Sequence, residues 1–119
     1  MRYLSLIKGS ENQGAPPPAF MPAMEKWLAE TMADGSLVQT GGLARTTSAI
    51  RVRSEAGKVT VIDGPYAEAK EVVGGYAVIE AATREAAIES ARRFMQIHAD
   101  LWPEWRGECE VRAIDFIAP

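Results

Sequence analysis

The side chains able to do chemistry fall into two groups far apart in the chain. His98 is the single histidine, so it is the one side chain whose ordinary pKa lies near neutrality. It stands four residues after Phe94 and three after Met95, on the apolar stripe of an expected helix. There it can serve as a general base or ligand contact if a cleft reaches it, or as a hydrogen-bonded residue sealing the helix–sheet core. The second group is Asp63, Tyr66, Glu68, Lys70 and Glu71. Asp63 joins His98 as a catalytic candidate. Tyr66, Glu68, Lys70 and Glu71 form a candidate substrate-binding set, with Asp63 and Glu71 suited to holding a polar substrate and Lys70 to pairing an anionic group. The same residues have an architectural reading, in which Asp63 caps the turn at Gly64-Pro65 and the charges are solvated. Surface ion pairs contribute little to stability, which weakens a purely structural reason for this density of charge.

Other chemistries have less support. One cysteine, Cys109, and one histidine cannot make a structural tetrahedral zinc set, so no metal site is expected. A lone cysteine beginning a strand reads as packing more readily than as a nucleophile. The pairs Gly41-Gly42 and Gly74-Gly75 lack a phosphate-loop pattern and read as tight turns or close backbone approaches. Trp102, Trp105 and Tyr66 either line an apolar pocket or cover the core and a subunit interface. The sequence names no cofactor.

Hydrophobic periodicity supplies the elements that must position these groups. Tyr3–Ile7 is a short apolar run bounded by Gly9 and reads as an opening strand. A loop rich in Gly and Pro follows. Phe20, Met24, Trp27 and Leu28 recur at helical spacing, predicting a helix from about Pro18 to Asp34, with Gly35 as its left-handed stop. Leu37–Leu43 is a second strand. Ala49–Arg53 and Val59–Ile62, separated by the loop Ser54–Lys58, form a hairpin. Asp63-Gly64-Pro65 forces a turn. After the polar stretch Ala67–Val72 comes a strand at Tyr76–Ala81. Thr83 is the N-cap of a second helix, whose stripe is Ala87, Ile88, Ala91, Phe94, Met95 and His98, and which Pro103 ends. Cys109–Phe116 is the last strand.

The resulting order is β-α-β, a hairpin, then β-α-β: an α+β chain on the ferredoxin-like plan, forming one domain across residues 1–119. Two helices cover one face of such a sheet. The other face needs a cover, and a second copy of the sheet is the simplest, so a homodimer is expected.

The stretch Val61-Ile62-Asp63-Gly64-Pro65-Tyr66-Ala67-Glu68-Ala69-Lys70-Glu71-Val72-Val73-Gly74-Gly75-Tyr76 resembles the signature of the YCII-related, or DGPF-domain, family. The resemblance runs from the opening strand through Glu110-Val111-Arg112. It implies a dimeric α/β barrel of the ferredoxin-like type, a largely undefined activity, and genes that often neighbour those of extracytoplasmic-function sigma factors. The resemblance also brings a His–Asp pair proposed for YCII-related proteins. Counting back from Gly35, the position of that histidine is Met24 here, so the pair is not carried over. Asp34 lies near the aspartate position, where turn chemistry also explains an Asp before a helix-ending Gly.

Composition bounds the rest. The 119 residues are 47% apolar and 24% charged, with a net charge of −3. That balance argues against a nucleic-acid partner and against adsorption to anionic lipid. No apolar run approaches the roughly 20 residues that span a bilayer. The start of the chain does not read as a secretory signal, and a cytoplasmic location is expected. Two functions compete: a dimeric small-molecule binder or enzyme with a polar site near the Asp63–Tyr66 loop, and a non-catalytic regulatory or interaction module.

Overall fold

A computed structural model describes residues 1–64 and 71–115. Its elements run β1 (Arg2–Gly9), α1 (Phe20–Ala33), β2 (Leu37–Gly42), a short 3-10 turn (Thr46–Ser48), β3 (Ile50–Glu55), β4 (Lys58–Asp63), β5 (Val72–Glu80), α2 (Arg84–Leu101) and β6 (Gly107–Ala113). Four strands form an antiparallel sheet in the order β2-β5-β1-β6, while β3 and β4 make a separate two-stranded sheet. This α+β arrangement is compatible with the ferredoxin-like plan. Among the described residues the four-stranded sheet stays open, with β2 and β6 at its edges. The barrel implied by the resemblance is a dimeric one, and the described residues of one chain show no closure.

Helix α1 begins at Phe20, two residues later than the periodicity predicts, and Pro22 falls in its first turn. Proline is tolerated there because that N–H would lack an intrahelical partner. The helix ends where Gly35 takes φ +81°, a conformation glycine adopts freely. Asp34 secures the exit: its Oδ1 accepts from the Ser36 amide at 2.8 Å and the Ser36 hydroxyl at 2.6 Å. Those two bonds hold its carboxyl below the usual range, so Asp34 does turn chemistry. At the start of α2, the Thr83 hydroxyl accepts from the Ala86 amide at 3.1 Å, as an N-cap should.

Both helices pack on the face of the sheet that carries Tyr3, Leu37, Ala77 and Ile79, where the core lies. From α1 come Phe20 and Met24, and from α2 come Ala87 and His98. Ile88, expected on the stripe of α2, is 36% exposed. It follows the buried Ala87 by about 100° around the helix, which turns it off the core.

Register puts alternate residues of β1 and β5 on the opposite face. Leu4 lies beside Val78 and Leu6 beside Tyr76. The edge of that face is charged: Lys8 Nζ lies 3.0 Å from Glu110 and 3.2 Å from Glu108. No element among the described residues covers these four half-buried side chains.

The hairpin is tighter than the sequence suggests. Ser54, Glu55 and Lys58 belong to strands, and the turn is only Ala56-Gly57, at φ 51° and 75°. Two positive φ angles give the strand twist a matching two-residue turn. Ile50, Val52, Val59 and Val61 share one face of the hairpin and are 64–67% exposed. The radius of gyration is 16.2 Å, against roughly 13–14 Å for a compact chain of this length, as a projecting hairpin requires.

Candidate functional site

Two glycine pairs shape the end of the sheet from which a cleft opens. Gly42 lies opposite Gly75, and Gly41 opposite Tyr76. Gly75 in turn lies opposite Ile7 of β1, beside a register shift at Ile7/Lys8. β5 therefore starts at Val72 and runs through Gly74-Gly75, where the sequence suggested a break. A Cβ on Gly41 would come within 2.9 Å of the Tyr76 ring, and one on Gly75 within 3.3 Å of the Gly41 carbonyl oxygen. A Cβ on Gly42 would meet nothing within 4 Å. Strand alternation turns the Cβ directions of Gly42 and Gly75 toward the helices. Bare backbone there leaves a space between sheet and helices.

That space is a cleft of about 360 Å³. Its floor is Gly41, Gly42, Gly74 and Gly75, and its walls include Phe20, Met24, Trp27 and Phe94. Met24 thus borders the cleft as an apolar wall. The polar groups at the cleft include Ser5 on β1, His98 on α2 and Cys109 on β6. No Asp, Glu, Lys or Arg is among the described residues that line it.

His98 is held on three sides by rings. Its imidazole lies 4.9 Å from Phe20, 4.8 Å from Phe94 and 4.5 Å from Trp105, centroid to centroid. Burial pushes its pKa down, and the Phe94 carbonyl opposes that in part. The neutral ring is favoured, and Nδ1, 3.1 Å from the Phe94 carbonyl oxygen, carries the proton it donates there. Nε2 is then a bare acceptor. Among the described residues it has no hydrogen-bond partner. The open space His98 borders is the cleft.

Trp105 and Trp102 stand behind this arrangement, outside the cleft lining. Trp102 packs 5.3 Å from Phe20, so the pair covers the aromatic cluster. Gly107 makes room: a Cβ there would overlap the Trp105 ring and the Lys8 carbonyl oxygen. The loop is also tied across the sheet end. The side-chain amide of Gln13 donates to the Arg106 carbonyl at 2.7 Å and accepts from the Arg106 amide at 2.6 Å.

Cys109 is half-buried, and burial raises its thiol pKa while the Ser5 hydroxyl works the other way. The net direction keeps it a thiol, a poor nucleophile. Among the described residues no group of three or more His, Cys, Asp or Glu could hold a metal ion.

The candidates from the second group lie elsewhere. Asp63 is an exposed residue of β4, opposite Ile50 in the hairpin. Glu71 is exposed just before β5, the strand that supplies Gly74 and Gly75 to the cleft. Neither is among the lining residues, so the described chain does not bring Asp63, Glu71 and His98 to one cavity. Tyr66, Glu68 and Lys70 lie outside the described residues, as does Phe116. The cleft residues outside the sequence candidates include Ser5, Ser90, Met24 and the glycines. The repeated Gly-Gly pairs at 41–42 and 74–75 were their only trace in the sequence.

An antiparallel sheet with both helices on one face, and a glycine-floored cleft between them, defines a small α+β domain. The model of the YCII-related domain matches residues 1–106, and the chain belongs to that family. It is also similar to an uncharacterized protein of Rhizobium meliloti (strain 1021), at 33% identity over 85 residues, covering 71% of this chain and 64% of that protein. No described helix is long and apolar enough to cross a membrane.

Proposed function

We propose that the protein binds a small molecule in the cleft between its helices and sheet, and works as a homodimer. The observation that carries the reading is the cleft itself, about 360 Å³ and apolar apart from a few polar groups. Small-ligand sites have that size and makeup, typically ~300–1,000 Å³ with a few convergent polar atoms. His98 lines it and offers Nε2 as an acceptor. Glu71, at the start of β5, is within the same reading as a group near that end of the sheet, and Asp63 remains a candidate on the hairpin.

The dimer rests on the uncovered sheet face. Leu4, Leu6, Tyr76 and Val78 form an apolar centre edged by ion pairs, the makeup of a surface with a dry core and a polar rim. A cytoplasmic location belongs to the same proposal, since a free thiol fits a reducing compartment.

A second reading, that of a regulatory or interaction module tied to sigma-factor systems, draws on the exposed apolar face of the hairpin. Both readings meet one experiment. A thermal-shift screen of uncharged small aromatic compounds should give hits that Gly42→Leu abolishes and Asp63→Asn leaves intact. Hits lost in Asp63→Asn and kept in Gly42→Leu would move the site to the hairpin.

A further inference from the structure

The lining of the cleft restricts what it can hold. Because no charged side chain is among its described lining residues, a carboxylate or an ammonium group would be buried without a counter-charge. Such burial costs several kcal/mol even after relaxation, on the order of a thousandfold in affinity. A neutral imidazole whose Nδ1 proton is committed to the Phe94 carbonyl has nothing to donate from Nε2. A ligand that only accepts hydrogen bonds would face that nitrogen lone pair to lone pair.

We propose that the cleft selects uncharged molecules with an apolar body and one N–H or O–H donor, and that the donor meets Nε2 of His98. The proposal rests on reading the cleft as the ligand site and adds its chemical selectivity. The rings that hold His98 on three sides fix the direction of the lone pair, so the ligand is positioned as well as bound. The bare floor at Gly42 and Gly75 suits a flat body lying against backbone. The hydroxyls of Ser5 and Ser90, both at the cleft, can donate or accept and so discriminate less.

Isothermal titration of the full chain at pH 7.5 with indole, 1-methylindole and indole-3-carboxylate separates these terms. Indole carries the donor, 1-methylindole has nearly the same shape without it, and the carboxylate keeps the donor but adds charge. The expected result is that indole binds about tenfold tighter than 1-methylindole, the value of one hydrogen bond to a group otherwise left unpaired. Indole-3-carboxylate should bind at least as weakly as 1-methylindole. In His98→Phe, which keeps a ring and removes the acceptor, indole and 1-methylindole should bind alike. If the wild-type chain binds indole and 1-methylindole equally, and Gly42→Leu abolishes both, the cleft stands as the site and donor selection is overturned. If indole binds Gly42→Leu as it binds wild type, or no probe binds, the cleft reading itself falls. The wild-type series decides the matter even if His98→Phe does not fold.

Discussion

Nδ1 of His98 lies 3.1 Å from the carbonyl oxygen of Phe94, one helical turn earlier in α2. This bond decides which nitrogen of the only imidazole keeps its proton, and therefore leaves Nε2 as the acceptor. It also has a consequence for stability. Burial lowers the pKa of His98 from its ordinary 6.5, so below about pH 6.5 the unfolded chain binds a proton that the folded chain resists. Stability contributed by the neutral ring is complete above pH 7 and is lost as pH falls through 6.5 toward the folded pKa. The slope approaches at most about 1.4 kcal/mol per pH unit for one proton. Urea unfolding at several pH values from 5 to 8 should show it in wild type and not in His98→Phe. The depressed carboxyls of Asp34, Glu80 and Glu110 act in the same sense but only in more acid solution, below the ordinary carboxylate range.

The glycines that floor the cleft differ in what a side chain would meet there. Gly75→Val should lower stability by roughly 1–3 kcal/mol, because the Gly41 carbonyl oxygen lies 3.3 Å from the added Cβ and backbone cannot move aside cheaply. Gly42→Leu has open space around its Cβ and should stay within about 1 kcal/mol of wild type. Denaturant midpoints of the two variants measure the contrast. Equal losses would mean that the opening at Gly42 is not there in solution.

Gly107 admits the Trp105 ring to its place against His98. Gly107→Ala should displace that ring or the strand beneath it, lowering stability by roughly 1–3 kcal/mol. A red-shifted tryptophan emission should accompany the loss.

Ala56 is the one non-glycine residue among those described with a positive φ, 51°. The left-handed region costs a residue with a Cβ roughly 1–2 kcal/mol, and Asn tolerates it better. Ala56→Asn should slow amide hydrogen exchange across β3 and β4 while leaving β1 and β5 unchanged.

The uncovered sheet face carries the dimer proposal. The wild-type chain should sediment at twice its 12.9 kDa mass, and Leu6→Glu, which puts a carboxylate among Leu4, Tyr76 and Val78, should sediment as a monomer. A wild-type monomer at micromolar concentration would contradict the proposal.

Much of this architecture can be read from residue periodicity. The stripe from Phe20 to Leu28 and the Thr83 cap locate both helices, and alternation locates the strands. What escapes such reading depends on pairing across the sheet. Gly74-Gly75 punctuates the sequence locally, but its partners, Ile7 on one side and Gly42 on the other, keep it in strand. The strands of the hairpin outrun their β-prone cores because a two-residue turn lets Glu55 pair with Lys58. The site divides in the same way. His98 is visible as the lone imidazole on an apolar stripe, whereas its cleft is built from missing side chains, and a residue type that lacks a side chain carries no chemical label. The charged cluster after the hairpin attracts attention for its functional groups, yet Asp63 and Glu71 are exposed and neither lines the apolar cleft.

The most direct test of the cleft as the ligand site is an amide chemical-shift titration of the 15N-labelled chain with indole. The account predicts that the largest shifts fall on Gly41, Gly42, Gly74 and Gly75 and on the last turn of α2 around His98, with β3 and β4 little changed. Shifts concentrated on the hairpin from Ile50 to Asp63, with the four glycines unmoved, would contradict it.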